Sequence, residues 1–155
     1  MSVRPTAFDA PALRTYLRDH IPLAAAMDIA VLDAHDGAVV LGAPLAPNIN
    51  HRDTAFGGSV AALAILAAWS LLHLRLQAAG IPNRLVIQRS TVDYDLPIAG
   101  AFTARASLEA PPAWAPFVKL LQRRGKARIA VVATLEYEGR IAARFAGDFV
   151  ALAGP

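Results

Sequence analysis

The chain has 155 residues, 55% hydrophobic and 17% charged, which fits one folded domain and leaves little room for disorder. It contains no cysteine, which excludes disulfides, thiolate nucleophiles and cysteine-based zinc sites, and its four histidines lack paired metal-ligand spacing. The net charge of +3 fits an anionic small ligand or an acidic protein partner and gives little support to nucleic-acid binding.

The first third of the sequence predicts a short helix followed by a β-hairpin. Asp9 and Pro11 are typical of a helix start, and apolar residues then share one face until Pro22. Two apolar runs flank a turn at 35–37 and predict the hairpin. The N-terminus lacks the basic-then-apolar order of a signal peptide, so we expect a cytoplasmic protein.

The most informative stretch is a polar loop, 48–56, that leads through a double glycine into a long apolar segment. Between Val60 and Leu72 the one polar residue is Ser70, so the segment predicts a helix buried on nearly every side. A membrane span takes about 17–25 apolar residues, and polar residues interrupt the second half of this segment. We therefore expect a central helix over 58–79 that is enclosed by a sheet, with no membrane association.

The rest of the sequence predicts four strands that follow one another closely. Their predicted ranges are 85–96, 102–109, 127–137 and 141–152. One or two helical turns are expected in the proline-marked connection before the third of these strands. Short connections favour antiparallel pairing. The predicted class is therefore α+β, with one long central helix wrapped by an antiparallel sheet of about six strands, which is the hotdog fold.

The predicted strand 85–96 carries a polar interruption. Its apolar residues of even number share one face, and Gln88 and Ser90 fall on that same face by strict alternation. Polar side chains on a buried face are costly unless they are bonded. They would therefore bond each other or the loop, or hold water or substrate.

The loop and the helix start resemble a known group of enzymes. Asn48-x-Asn50-x-x-x-Thr54-Ala55-Phe56-Gly57-Gly58-Ser59, followed by an Ala/Leu helix, is similar to hotdog-fold thioesterases, and most similar to the YiiD C-terminal thioesterase-like family. The resemblance covers almost the whole chain and extends to Ile87-Gln88-x-Ser90 and Tyr94-x-x-Pro97. It implies hydrolysis of acyl-CoA or acyl-carrier-protein thioesters without a cofactor. We expect one domain over 1–155, without the acetyltransferase domain found in some relatives.

This sequence departs from the better-understood thioesterases of the superfamily at two points. Those enzymes have a His before the two glycines and a carboxylate one to two turns into the helix. Here Phe56 takes the place of the His, and 63–67 contains no carboxylate. Two functions therefore stay open, an acyl-thioester hydrolase and a non-catalytic acyl-CoA binding module. A hotdog dehydratase ranks last, because it would need both missing groups.

The catalytic candidates are four residues with different chemistry. The N–H groups around Gly58 and Ser59, at the positive end of the helix, can polarise a thioester carbonyl. Asn50 would orient water or bind the thioester region through its amide, or else bond the loop backbone as a turn residue. Asp53 is the one carboxylate of the loop and so the nearest candidate base, and Ser90 would hold water or substrate.

The substrate-binding candidates surround these four residues. They are His51, Thr54, Phe56, Gly57, Ser59 and Gln88. His51 is also a candidate base, with an ordinary surface histidine as the alternative. Arg84, Arg89 and the cations of 119–128 would meet CoA phosphates or an acidic carrier protein, or would simply be solvated. No metal ligand is predicted.

We also expect a homodimer, with a tetramer as a further arrangement. The resemblance implies pairing through the third strand, because hotdog domains usually pair there. Independently, a sheet that encloses one helix leaves strand edges unpaired, which is a liability for a lone domain. Pairing of 85–96 with its twofold mate would then bring Gln88 and Ser90 of one subunit towards the loop of the other.

Overall fold

A six-stranded antiparallel sheet wraps one long helix in the computed structural model, which describes residues 4–154. This arrangement confirms the predicted α+β hotdog fold, while 1–3 and 155, the ends of the predicted domain, lie outside the described residues. The helices are α1 (Ala10–His20), α2 (Pro22–Ala26), α3 (Gly57–Ala78) and α4 (Trp114–Arg124). The strands are β1 (Ala30–His35), β2 (Ala38–Ala43), β3 (Asn83–Tyr94), β4 (Phe102–Leu108), β5 (Lys126–Tyr137) and β6 (Arg140–Ala153).

The central helix α3 lies where the apolar sequence predicts it, one residue earlier at each end. The helix is long and apolar enough to cross a membrane, but 61% of its most apolar window is buried inside the protein. Its side chains pack against β2, β4, β5 and β6, and residues such as Leu63, Ala67 and Leu71 are fully enclosed. The helix is therefore the core around which the sheet curves.

The helices outside the core follow local sequence signals, with two differences from prediction. The Asp9 carboxylate accepts the backbone N–H of Ala12 at 3.0 Å, as expected of a cap. Pro22 ends α1 but also starts α2, because proline is well suited to the first turn of a helix. The predicted helical turns before β5 form the full helix α4, which buries Phe117 and Leu121 against the sheet.

Strand order places β3 at one edge of the sheet and β1 at the other. The order is β1-β2-β4-β5-β6-β3, so β3 pairs only with β6 within the described residues. The connection from β3 to β4 therefore crosses from the edge to the middle of the sheet. On its way, the carbonyl of Ile98 accepts the N–H of Ala55 at 2.7 Å, which fixes the loop that precedes α3.

A β-bulge at Gln88 breaks the alternation of β3. Ile87 pairs with Phe149 and Arg89 with Asp148, so Gln88 is the extra residue. The predicted common face for Val86, Gln88 and Ser90 is therefore wrong. Directly opposed residues share a face, so Ser90, opposite the buried Gly147, points towards α3.

Candidate active site

The loop before α3 is closed on itself by backbone pairing. The carbonyl of Asn48 accepts the N–H of Phe56 at 2.7 Å, and Ile49 and Ala55 form an antiparallel bridge. The side-chain amide of Asn48 is buried and donates to the carbonyls of Met27, at 3.0 Å, and of Pro44, at 2.8 Å. These bonds anchor the loop to the residues that follow α2 and β2 and fix where the helix begins.

Asn50 holds the tip of this loop together. Its Nδ2 donates to Thr54 Oγ1 at 2.9 Å, and its Oδ1 accepts the backbone N–H groups of Arg52, at 2.8 Å, and of Thr54, at 3.2 Å. Both ends of the amide are thus occupied within the loop, which is the turn-residue arrangement. Any effect of Asn50 on a substrate is therefore exerted through the position of the loop.

The first two backbone amides of α3 are free donors. Phe56 is the N-cap residue and offers no side-chain cap, and its carbonyl accepts the N–H groups of Ser59, at 2.9 Å, and Val60, at 3.1 Å. Within the described residues, nothing accepts the N–H groups of Gly57 and Gly58. The free donors are therefore those of Gly57 and Gly58, whereas the expected donor Ser59 is already bonded.

Two aromatic rings flank these donors. A Cβ atom placed on Gly58 would collide with the ring of Phe56, which would have to move aside. The hydroxyl of Tyr94 donates to the carbonyl of Gly57 at 2.9 Å. Tyr94 thus borders the candidate site, and sequence reasoning did not propose it as a site residue, although the Tyr94-x-x-Pro97 motif contains it.

The two candidate bases lie on the exposed outside of the loop. His51 and Asp53 are both solvent-exposed, and Asp53 adopts a positive φ of 62° in the turn, where its N–H donates to Asn50 O at 3.3 Å. The first turn of α3 has no acidic residue. Among residues 4–154, no three His, Asp or Glu side chains converge where a metal ion would bind.

The two polar candidates on β3 lie apart from the loop. Ser90 is exposed although it faces the helix side of the sheet, so the space in front of it is open. Gln88 Oε1 accepts a hydrogen bond from Arg128 Nη1 at 3.5 Å, so the Gln88 side chain lies towards the outer face of the sheet. The structure therefore gathers the candidates from Asn50 to Ser59 at the helix start, and leaves Gln88 and Ser90 midway along the β3 edge.

Three solved structures share this architecture. A protein of unknown function from Chlorobaculum tepidum TLS is 28% identical, with a TM-score of 0.88 and 94% of each chain covered. A "putative thioesterase" from Shewanella oneidensis is also 28% identical, with a TM-score of 0.82 over 92% of this chain and 96% of that one. A thioesterase from Haemophilus influenzae is 12% identical, with a TM-score of 0.77 over 98% and 96%, and shows the fold alone.

The sequence comparisons gave one match, to a family. No curated protein sequence matches this chain. Residues 10–153, nearly the whole sequence, match the family described as "Putative thioesterase (yiiD_Cterm)". Together with the hotdog architecture, this match supports thioester hydrolysis as the general activity, and the chain belongs to that thioesterase family.

Proposed function

We propose that this protein hydrolyses acyl thioesters of CoA or of acyl-carrier protein, with the thioester carbonyl held by the N–H groups of Gly57 and Gly58. The observation that carries the proposal is the pair of unbonded amides at the positive end of a 22-residue helix. Glycine at both positions lets a substrate come close to the backbone. The family match supports the reaction class.

In the proposed reaction a water molecule attacks the carbonyl carbon of the thioester. The negative charge that develops on the carbonyl oxygen is stabilised by the two amides and the helix dipole. Collapse of the intermediate breaks the carbon–sulfur bond and releases a carboxylic acid and a thiol. Asp53 and His51 are the candidates for removing the water proton, and either side chain must reach the water to do so.

The proposal includes a homodimer formed through the free edge of β3. Ten large hydrophobic side chains are exposed within the described residues, and six of them lie on β3, just after it or in the loop before α3. These six are Ile49, Phe56, Val86, Ile87, Tyr94 and Leu96. Antiparallel pairing of two copies of β3 would cover this apolar edge and satisfy its backbone groups.

Cationic side chains on the outer face of the sheet support an anionic carrier group. Arg84 and Lys126 are both paired with Leu152 of β6, one on each side, and Arg128 follows on the same face. None of the three forms an ion pair with a described residue. In a dimer paired through antiparallel copies of β3, the Arg84 end of one strand lies beside the Tyr94 end of its mate, near the second site.

A non-catalytic acyl-CoA binding protein is the second candidate. It is favoured by the absence of a carboxylate from the first turn of α3 and by the full engagement of Asn50 within its loop. Such a protein would hold the thioester carbonyl on the same two amides and leave it intact.

Thiol release from a panel of acyl-CoAs and acyl-carrier proteins tests the proposal. We expect release well above the rate without protein, together with a loss of activity when the same acyl groups are presented on short thiols without phosphates. Tight binding without release would contradict hydrolysis and support the binding protein. Neither binding nor release would contradict both functions.

A further inference from the structure

One stripe of α3 stays partly uncovered although the other faces of the helix are enclosed. Gly58, Ala62, Ile65, Trp69 and His73 recur every three or four residues, so they lie in one line along the helix. Each of them keeps some exposure, whereas Leu63, Ala64, Ala67 and Leu71, on the remaining faces, have none. These residues and the part of β3 that faces them therefore form a strip beside the core that the described residues cover incompletely.

Two hydrogen bonds show that this stripe faces β3. At one end Tyr94 Oη donates to the carbonyl of Gly57 at 2.9 Å, and at the other Trp69 Nε1 donates to the carbonyl of Leu85 at 3.0 Å. The two bonds tie helix and strand at both ends of the strip. Between Gly57 and Trp69 the helix rises by about 18 Å.

The strand side of the strip is uncharged. Ile87, Ser90 and Val92 oppose Phe149, Gly147 and Phe145 of β6, so they share the face that looks towards the helix. Ser90 and Gly147 lie side by side in the middle, where the rings of Phe145 and Phe149 cover Gly147 and Ser90 stays exposed. The strip is thus apolar over nearly its whole length, with the two free amides of the helix start at one end.

Trp69 closes the other end of the strip. Its ring stacks on His73 with centroids 4.6 Å apart, and His73 stacks on Tyr16 at 4.8 Å. The indole is held by this stack and by its hydrogen bond to β3. Next to it lies a cleft of about 430 Å³ that is lined by apolar side chains such as Ile81 and Val86 and also by Gln77, Asn83 and Arg84.

We infer that the strip binds the acyl chain of the thioester and that Trp69 is the end stop that limits chain length. The inference rests on the proposed function. Two polar donors followed by an uncharged run of about 18 Å fit a thioester carbonyl followed by a medium to long alkyl chain. An acetyl group would leave most of the run empty, so the preferred substrates are fatty acyl thioesters.

Replacing Trp69 tests this inference, because the change joins the strip to the cleft behind it. In the wild-type protein we expect kcat/KM to rise from acetyl-CoA until the acyl chain is about as long as the strip, and then to level off or fall. In Trp69→Leu the rise should continue to longer chains, by up to about fourfold for each additional methylene, since burying one is worth about 0.8 kcal/mol.

Trp114→Leu is the matched control. Trp114 is also half-buried, but it packs on α4 beside Phe117 and beneath the Arg75 guanidinium, which lies 4.3 Å from its ring. The Trp114→Leu variant should keep the wild-type dependence of kcat/KM on chain length. Trp69→Phe keeps a stacking ring, so it should fold even if the leucine variant does not, and it should shift the profile in the same direction by less.

Calorimetric titration with the same acyl-CoAs separates this inference from the proposed reaction. If the wild-type protein binds longer chains more tightly but releases no thiol, hydrolysis fails and the acyl strip stands. If affinity and turnover are independent of chain length, or if both Trp69 variants keep the wild-type profile, the strip and its end stop are wrong.

Discussion

β1 and β3 are the two edge strands of the sheet, and they differ in the backbone pairing on their outer sides. Along β1 the N-terminal segment adds backbone bonds, from Phe8 N–H to the carbonyl of Ala34 at 2.9 Å and from Asp36 N–H to that of Thr6 at 3.0 Å. β3 has twelve residues, and no described segment pairs with its outer side. The N-terminal segment covers the end of the first edge, and the second edge stays open within the described residues. A bare edge of that length would be an aggregation site in a monomer.

A lysine introduced on each edge strand should give the largest difference between the two edges. Val86 and Leu32 are similarly exposed, at 53% and 57%, and lie on β3 and β1. Val86→Lys should dissociate the proposed dimer, because burial of one valine is worth about 1.5–3 kcal/mol and the loss occurs twice across a twofold axis. Leu32→Lys should leave the assembly intact. Sedimentation velocity of both variants measures this, and equal behaviour would contradict a β3 interface.

A methyl group added to a glycine near each edge should have opposite consequences. Gly58→Ala must displace the Phe56 ring and crowd the free amides, so we expect kcat to fall by about a hundredfold, as when one oxyanion donor is lost. At Gly42 the Cβ would approach only the Leu32 side chain, whose Cδ1 lies 3.0 Å away and is free to move. Gly42→Ala should therefore stay active.

The outcome at Gly58 has its own control. Phe56→Ala/Gly58→Ala removes the obstructing ring, so recovery of activity would assign the loss to displacement of Phe56. Continued inactivity would assign it to the crowded amides. Normal turnover by a folded Gly58→Val protein would exclude the proposed carbonyl site.

Mixed dimers test whether the Ser90 hydroxyl acts on the partner's loop across the β3 edge, in addition to lining the strip of its own subunit, where alanine would keep the lining small and uncharged. Asn50→Ala loosens the loop and Ser90→Ala alters the strand, so each protein alone should lose activity. After random subunit exchange half of the dimers are mixed, and each of these has one intact site. About one quarter of wild-type activity should then return. Confirmed exchange without recovery, with both variants inactive, would count against a shared site.

The smallest expected effect concerns pH and the aromatic stack near the start of β3. Burial lowers the pKa of His73 below its ordinary value. The unfolded chain therefore takes up a proton before the folded protein does, so stability should fall as pH drops below about 6.5. His73→Phe keeps the stack with Tyr16 and Trp69 and removes this term. Melting temperatures between neutral and mildly acidic pH should therefore decline less in the variant than in the wild type.

Local patterns predicted most of the architecture. The unbroken apolar run marks α3 to within one residue at each end, and the alternation of Ile129, Val131, Ala133 and Leu135 marks the buried face of β5. Glu138 and Gly139 form the expected turn, with φ of 49° and 74°. Each of these signals depends on residues that are close together in sequence, so these elements can be predicted from the sequence alone.

The details of the candidate site depend on residues that are far apart. Alternation assumes an unbroken ladder, so the bulge at Gln88, which is defined by its pairing with β6, cannot be read from β3 alone. Tyr94 reaches Gly57 across 37 positions. The sequence also predicted donors around Gly58 and Ser59, whereas the cap geometry of Phe56 leaves those of Gly57 and Gly58 free.

The placement of β3 next to β6 also sets the order in which the sheet can be completed during synthesis. Tyr94 pairs with Ala143, which is 143 − 94 = 49 residues later. At about 5–20 residues per second, the ribosome needs several seconds to make that stretch. During this time β3 has two bare edges, so the nascent chain is most prone to self-association before its last strand emerges. In a chain that stalls before β6, both edges of β3 are therefore exposed, whereas in the finished domain only one edge of β3 is exposed.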